Sequence, residues 1–531
     1  MRRSASMQHG GTTAFMISQT RSRVAANVTV GTASQILAIA IGLFTTPLIL
    51  SRLGAVDYGA FALIGSLSAY FGILDFGIGG GLTRYMSFYH ERGDYDRIKT
   101  FAVLGLVFYV LLGLFLFPLL RASTPMIANF LRLPPRIEIQ LPSLLLAVLG
   151  LFIGWSISGI IVARLTASHR LDLASYANVV GSLAFGVLIF LFLPAIPTVG
   201  GVFICMAGQL LFVILTLWII NRRVNGPLLT WPVDARWTDT RALFVFGFWT
   251  QLSSITAVVN LEADKAIISR NVGIASVTPY QVANRLALLS RALPLQLLSS
   301  LLPTVTARVS QGISREEVAE LYVRTSRQLM IPTLVIAGFV IATANPLLRL
   351  WLGQYLPGAS GLCMALVASY AINNVTGAGT TILRAQGRPA LETFYGMLSA
   401  GLNIGLTIIL IGRFRLEGVV MGTVAGNIIG SGVFIVLFHR REALLWWPTI
   451  GHWLTRLIFA VLGAGLIAHY FVGLIDSELN RLVLLPIIGL IGIIYVILIF
   501  VLGWTIGLWT AEDRELVRRA VGFVRRHRVS R

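Results

Sequence analysis

The residues able to do chemistry concentrate on two predicted helices near 242–268 and 277–306 of a 531-residue chain. On a helix advancing about 100° per residue, Ser253, Thr256, Asn260 and Asp264 fall within roughly an 80° arc. Lys265 follows at once. The next helix carries Gln281, Asn284, Arg285, Arg291, Gln296 and Ser299 over half its circumference, with Leu286, Leu293, Leu297 and Leu301 opposite. One face suits lipid, the other protein or water. A guanidinium is a fixed fork of donors that matches phosphate oxygens and stays charged at any relevant pH. Arg285 and Arg291 are therefore candidates to hold a diphosphate in a cavity, with Lys265 and Arg84 as further substrate-binding cations. The competing reading pairs the arginines structurally with Asp264, Glu262 or Asp75. Pro294 and Pro303 are expected to kink the arginine-bearing helix or loosen its hydrogen-bond ladder.

Asp75 is the second focus, alone among residues 58–83 in carrying a charge. An ion at the centre of a membrane helix costs roughly 2.5–3.5 kcal/mol, so it needs a partner or a role. Asp75 and Asp264 are candidates for gating or ion coupling; the alternative is that they only hold neighbouring helices together. The glycines after Asp75 allow another backbone close approach. Enzyme signatures are mostly missing. Lys99 and Lys265 are the only lysines and neither follows a phosphate-cradling glycine loop, so the sequence contains no Walker A site. The histidines are scattered without metal-ligand spacing, and Asp476 with Glu478 reads as solvated loop charge. Cys205 and Cys363 lie in apolar spans with no framework spacing. No catalytic residue, metal or cofactor is expected.

The elements that position these residues follow from composition. With 56% hydrophobic and 12% charged residues and a mean hydropathy of +0.81, the chain is an all-α polytopic membrane protein. Apolar runs repeatedly reach the roughly 20 residues a helix needs to cross the hydrocarbon. The net charge of +20 would suggest nucleic acid in a soluble protein. Here the basic residues fall mostly at alternate span ends, as the positive-inside rule requires, and anionic membrane lipids account for much of the excess. Fourteen spans are expected: six in an N-lobe (28–220), an interfacial linker (221–241) with Trp231, Pro232 and Trp237, six in a C-lobe (242–438), and two more in 439–507. Residues 1–27 form a cytoplasmic leader ahead of an uncleaved first span, and 508–531 a basic amphipathic tail, which places both termini in the cytoplasm.

The halves echo each other. Ile49-Leu50-Ser51-Arg52 with Gly54 and Tyr58 is matched by Ile267-Ile268-Ser269-Arg270 with Gly273 and Tyr280. With an even number of spans per half, such a repeat is parallel, and transporters of this build bind substrate at the repeat interface.

The stretch PLILSRLGAVDYGAFALIGSLSAYFGILDFGIGGGLTRY (47–85) resembles the first hairpin of bacterial polysaccharide flippases, and 260–287 resembles the corresponding later hairpin, with Asp264, Gly273 and Tyr280 at the matching positions. These belong to the multidrug/oligosaccharidyl-lipid/polysaccharide exporter superfamily. The resemblance implies two six-helix lobes around a cationic cavity. It also implies an undecaprenyl-diphosphate-linked oligosaccharide as substrate, moved across the bacterial cytoplasmic membrane by alternating access. Its partners would then be membrane lipids together with the glycosyltransferases and polymerase of an envelope pathway. Without an ATP site, the drive comes from an ion gradient, the membrane potential or product removal. The last two spans depart from the commoner twelve-helix form and leave open an arrangement like that of the lipid II flippases. Three other readings stand: a multidrug antiporter of the same superfamily, whose cationic drugs favour an acidic cavity; a membrane glycosyltransferase or polymerase, which needs larger external loops; and a non-transporting scaffold.

Overall fold

A computed structural model describes residues 5–229, 236–310, 314–388, 390–475 and 480–509, and it is all-helical, with fourteen α-helices. Nine helices among the described residues are long and apolar enough to cross a membrane. Their outward faces carry Leu114, Phe115, Phe190, Leu191, Ile409, Leu466 and Leu490 exposed, as expected where hydrocarbon replaces water. The protein is a multi-pass membrane protein. Contacts divide it into two compact units, Met1–Gln281 and Val282–Arg531.

The first unit opens with α1 (Ala5–Ile73), which turns at Gly54 (φ 75°). The expected second span, 58–83, is broken: α1 stops at Ile73 and α2 (Ile78–Glu91) starts after Gly77. Gly77 sits at φ 70°, and a Cβ there would collide with the backbone of Gly247, so only glycine serves both demands. Next come α3 (Tyr95–Leu131), capped by the Asp94 carboxylate accepting from the Arg97 N–H, and α4 (Pro135–Ala167), which begins on a proline whose missing N–H is harmless there. Then α5 (Leu171–Phe192), α6 (Val199–Asn225) and α7 (Trp237–Asn271) follow. Leu141, Leu144, Leu145, Val148 and Phe152 of α4 pack on Ala60, Leu63, Ile64 and Phe71 of α1 to make the principal core of the unit.

Helix α7 is fastened along its length within this unit. Arg97 pairs with Asp239 at 2.7 Å, the Gln251 amide donates to the Gly72 (2.7 Å) and Ile73 (3.1 Å) carbonyls, and Ser269 Oγ donates to the Leu131 carbonyl at 2.9 Å. The Gln251 amide thus donates to two carbonyls in the last turn of α1. The two turn sequences singled out as echoes also meet. Gly273 (φ 116°) ends the α7 turn much as Gly54 turns α1, Tyr58 and Tyr280 are both buried, and the Thr278 hydroxyl donates to the Ala55 carbonyl at 2.5 Å.

In the second unit, α8 (Val277–Ser310), whose first residues belong to the first unit, runs on without interruption past Pro294. It is followed by α9 (Arg315–Leu352), with a Ser314/Glu317 capping box, α10 (Ala359–Asn374), α11 (Gly377–Ala385) and α12 (Ala390–Glu442). Residues 359–384, long and apolar enough to form one span of the C-lobe, are thus interrupted at Val375 and Thr376. Helix α12 is two antiparallel arms about Arg415 (φ 50°). Gly418, Gly422, Gly426 and Gly430 recur every fourth residue and bring one arm against Ser399, Asn403, Thr407 and Leu410 of the other. The last pair, α13 (His452–Gly473) and α14 (Arg481–Thr505), docks on α9, where the Tyr495 hydroxyl donates to the Val335 carbonyl at 3.0 Å. Residues 230–235 of the expected linker, with Trp231 and Pro232, the loop acids Asp476 and Glu478, and the tail from 510 lie outside the described residues, as do the side chains of the leader and of Ser253 and Ser299.

Candidate functional site

Four of the six candidate residues lie in the first unit. Asp75 occupies the break between α1 and α2. Its Oδ1 accepts from the Tyr109 hydroxyl of α3 at 2.6 Å and its Oδ2 from the Gly79 N–H at 3.3 Å, so the carboxylate caps the open end of α2. Asp264 of α7 is 1% exposed and accepts from Tyr280, also 1% exposed, at 2.6 Å. Each acid is therefore matched with a phenol from another helix. Lys265 is buried and donates to Glu262, one turn earlier, at 2.5 Å. Arg84 is exposed on α2 with its guanidinium 5.7 Å from the Tyr85 ring.

The other two, Arg285 and Arg291, are half-buried on α8 in the second unit. Six residues at about 100° each set them roughly 120° apart around the helix. Arg291 lines a polar cleft of about 300 Å³; Arg285 is outside its lining. The Arg291 guanidinium lies over the Tyr370 ring, 5.4 Å from its centroid, and the Tyr370 hydroxyl donates to Asn284 at 2.7 Å. These contacts hold α8 to α10 and aim the arginine.

The opposite wall is the interruption between α10 and α11. Asn374 donates to the Arg291 carbonyl (3.4 Å) and to Thr333 Oγ1 (3.3 Å), and Thr376 Oγ1 lies 3.2 Å from the Tyr395 hydroxyl. Thr380 and Thr381 line the next turn. At the mouth, Arg384 of α11 meets Glu392 of α12: Nε donates to Oε2 at 2.7 Å and Nη2 to Oε1. The cleft thus combines two guanidinium groups, one carboxylate, two amides, three hydroxyls and a tyrosine, a set suited to an anion flanked by sugar hydroxyls.

Of the residues lining this cleft, Arg291 is among the candidates read from the sequence, whereas Arg384, Glu392, Tyr395 and the Asn373–Thr381 segment are not. The signal was present as Asn373-Asn374, Thr376-Gly377 and Thr380-Thr381 inside a notional span, a density of small and polar residues that an uninterrupted lipid-facing helix does not carry.

Residues 24–307, just over half of the chain, match the polysaccharide biosynthesis protein family. The chain belongs to that family. It is also 21% identical over 422 residues to the uncharacterized membrane protein EpsK of Bacillus subtilis strain 168, covering 76% of this chain and 81% of EpsK. Among solved structures, the lipid II flippase MurJ in an inward closed conformation superposes with a TM-score of 0.68 at 17% identity, covering 90% of this chain and 99% of MurJ. An inward-facing multidrug resistance MATE transporter gives 0.64 at 15% identity, covering 80% and 98%. At these identities the likeness is one of fold, and the fold is that of the multidrug/oligosaccharidyl-lipid/polysaccharide exporter superfamily. The family resemblance read from 47–85 and 260–287 therefore holds, and the cleft around Arg291 lies in the second unit.

Proposed function

We propose that this protein is a flippase that carries an undecaprenyl-diphosphate-linked oligosaccharide across the bacterial cytoplasmic membrane by alternating access, with both termini in the cytoplasm. The observation that carries the reading is the cleft at the α10/α11 interruption, where Arg291 and Arg384 converge with amides and hydroxyls. A diphosphate diester brings two negative charges, and a forked guanidinium is the side chain best matched to each phosphoryl group. Asparagine and threonine side chains supply donors and acceptors for the first sugar. Family membership supports a glycan substrate. On this reading Arg291 contacts the diphosphate and Arg285 lies farther along the path; Asp75 and Asp264 serve gating or ion coupling.

The test is reconstitution in liposomes with a fluorescent undecaprenyl-diphosphate glycan followed between leaflets. Losing a charge-assisted phosphate contact is worth about 1.5–3 kcal/mol, so Arg291→Ala should slow transport at least tenfold, and Arg291→Lys should recover part of the loss. Arg285→Ala should have the smaller effect. If the wild type moves cationic drugs but not the glycolipid, the multidrug reading replaces this one. If it moves the glycolipid and Arg291→Ala does so equally well, transport stands and the cleft does not.

A further inference from the structure

The Arg384–Glu392 pair has a feature that a purely structural salt bridge would not require. It is set at the mouth of the cleft, and the carboxylate fills the Nε and Nη2 edge of the guanidinium, one of the two edges on which a phosphoryl group would dock. Arg384 is 58% exposed and Glu392 22% exposed in this pair, so water reaches the guanidinium and can take the place of the carboxylate when it withdraws. Charge arithmetic points the same way. Arg291 and Arg384 supply two positive charges, which a diphosphate diester neutralises; with Glu392 still in place the occupied cleft would carry one uncompensated negative charge. Glu392 also has somewhere to go, because it stands in the first turn of α12, where the helix N-terminus stabilises a carboxylate without help from Arg384.

We propose that Glu392 is a displaceable counter-ion that occupies Arg384 in the empty cleft and yields it to the diphosphate of the arriving substrate, which makes Arg384 a second diphosphate ligand and Glu392 a determinant of specificity. The inference rests on the flippase reading of the same cleft. Its consequence is selective: an anion must outcompete the carboxylate to reach Arg384, so a diphosphate diester with two charges enters more readily than a monophosphate diester with one.

The experiment measures binding to the full-length protein in nanodiscs, with farnesyl-diphospho-N-acetylglucosamine and farnesyl-phospho-N-acetylglucosamine as probes. Glu392→Gln should bind the diphosphate probe about fivefold more tightly than wild type, the factor that an open ion pair withholds, and should narrow its preference over the monophosphate. Glu392→Asp, whose shorter side chain draws back from Arg384, should move in the same direction. Arg384→Gln should bind more weakly, Arg384→Lys should fall between it and wild type, and Glu392→Gln should bring no gain once Arg384→Gln is present. Glutamine and aspartate variants at 392 that both leave affinity unchanged or lower it, while Arg291→Gln weakens binding, would overturn the counter-ion role and leave the cleft standing. Arg291→Gln and Arg384→Gln that both bind like wild type would remove the cleft itself. The ranking should persist in nanodiscs free of phosphatidylglycerol; a ranking seen only when that lipid is present would assign the cleft to a bilayer headgroup and overturn the proposal.

Discussion

The buried Asp264–Tyr280 contact separates architecture from transport in a single comparison. Both side chains are 1% exposed and the oxygens are 2.6 Å apart, so the phenol donates to a carboxylate that water does not reach. A hydrogen bond to a charged group is worth about 1.5–3 kcal/mol, roughly twice a neutral one. Tyr280→Phe removes the donor and leaves the carboxylate oxygen it served in a low-dielectric site, so the whole of that amount should be lost. Asp264→Asn keeps an acceptor in the same place and removes the charge, so only about half should be lost, offset further by relief of burying an ion. Unfolding in detergent with a graded denaturant should therefore rank Tyr280→Phe as the less stable variant by about 1 kcal/mol or more. Glycolipid transport per folded molecule should rank them in reverse. Tyr280→Phe retains the charge and should retain most activity, whereas Asp264→Asn should lose at least tenfold if the charge serves ion coupling. Tyr280→Phe as stable as wild type would refute the hydrogen-bond argument. Asp264→Asn inserting normally and transporting at the wild-type rate would refute the coupling role.

The glycine ridge of α12 predicts a large effect from a small change. A Cβ on Gly426 would stand 2.8 Å from the Ser399 carbonyl oxygen and 2.9 Å from the Asn403 nitrogen, both backbone, so Gly426→Leu should separate the two arms and cost about 1–3 kcal/mol in the same unfolding assay; an unchanged midpoint would mean the arms do not pack this closely. His90, at the end of α2, has Nδ1 3.5 Å from Arg164 Nη1, and since arginine only donates, the ring there is neutral. Burial first, then the Arg164 charge, lowers the His90 pKa below its ordinary value. The unfolded chain therefore binds this proton at higher pH than the folded one, so stability is fully present above about pH 6.5 and falls as the pH drops from there through the lowered folded value. His90→Gln should flatten the acid side of a plot of unfolding temperature against pH, and an acid slope equal to that of wild type would exclude His90 as its source.

Much of the architecture was legible in the sequence because its causes are local. Runs such as 100–120 and 482–507 have one stable outcome in hydrocarbon, and the structure places α3 and α14 there. The turns at Gly54 and Gly273 were legible for the same reason, since positive φ selects glycine. What the sequence hid is where a span is interrupted. Residues 58–83 and 359–384 have the length and apolarity of single helices, yet one breaks at Leu74–Gly77 and the other at Val375–Thr376. Each break depends on partners remote in the chain: Gln251 and Tyr109 for the first, Thr333 and Tyr395 for residues flanking the second. A helical period cannot register a hydrogen bond from 179 residues away.

The same reasoning explains why charge alone was an uneven guide to the candidate site. Of the cations flagged for their rarity in apolar surroundings, Lys265 is held by an acid one turn away, and Arg84 stands on an exposed face. In a low-dielectric interior a fixed charge is tolerable only once matched, so an isolated ion in the sequence points first to a partner and only then to a ligand. An interrupted helix differs, because its ends expose backbone donors and acceptors that demand polar neighbours. Polar side chains gather there, and the gathering leaves room that a continuous helix would fill. Asp75 with Gly79 at the first break is the closed version, in which the chain meets its own demand. Asn373 to Thr381 facing Arg291 at the second is the open one, with about 300 Å³ left between the groups. On that logic a cluster of small and polar residues within an expected span is a better pointer to a polar cleft than the strongest single charge, and Arg384 with Glu392 would have been reached from Asn373-Asn374 rather than from either ion.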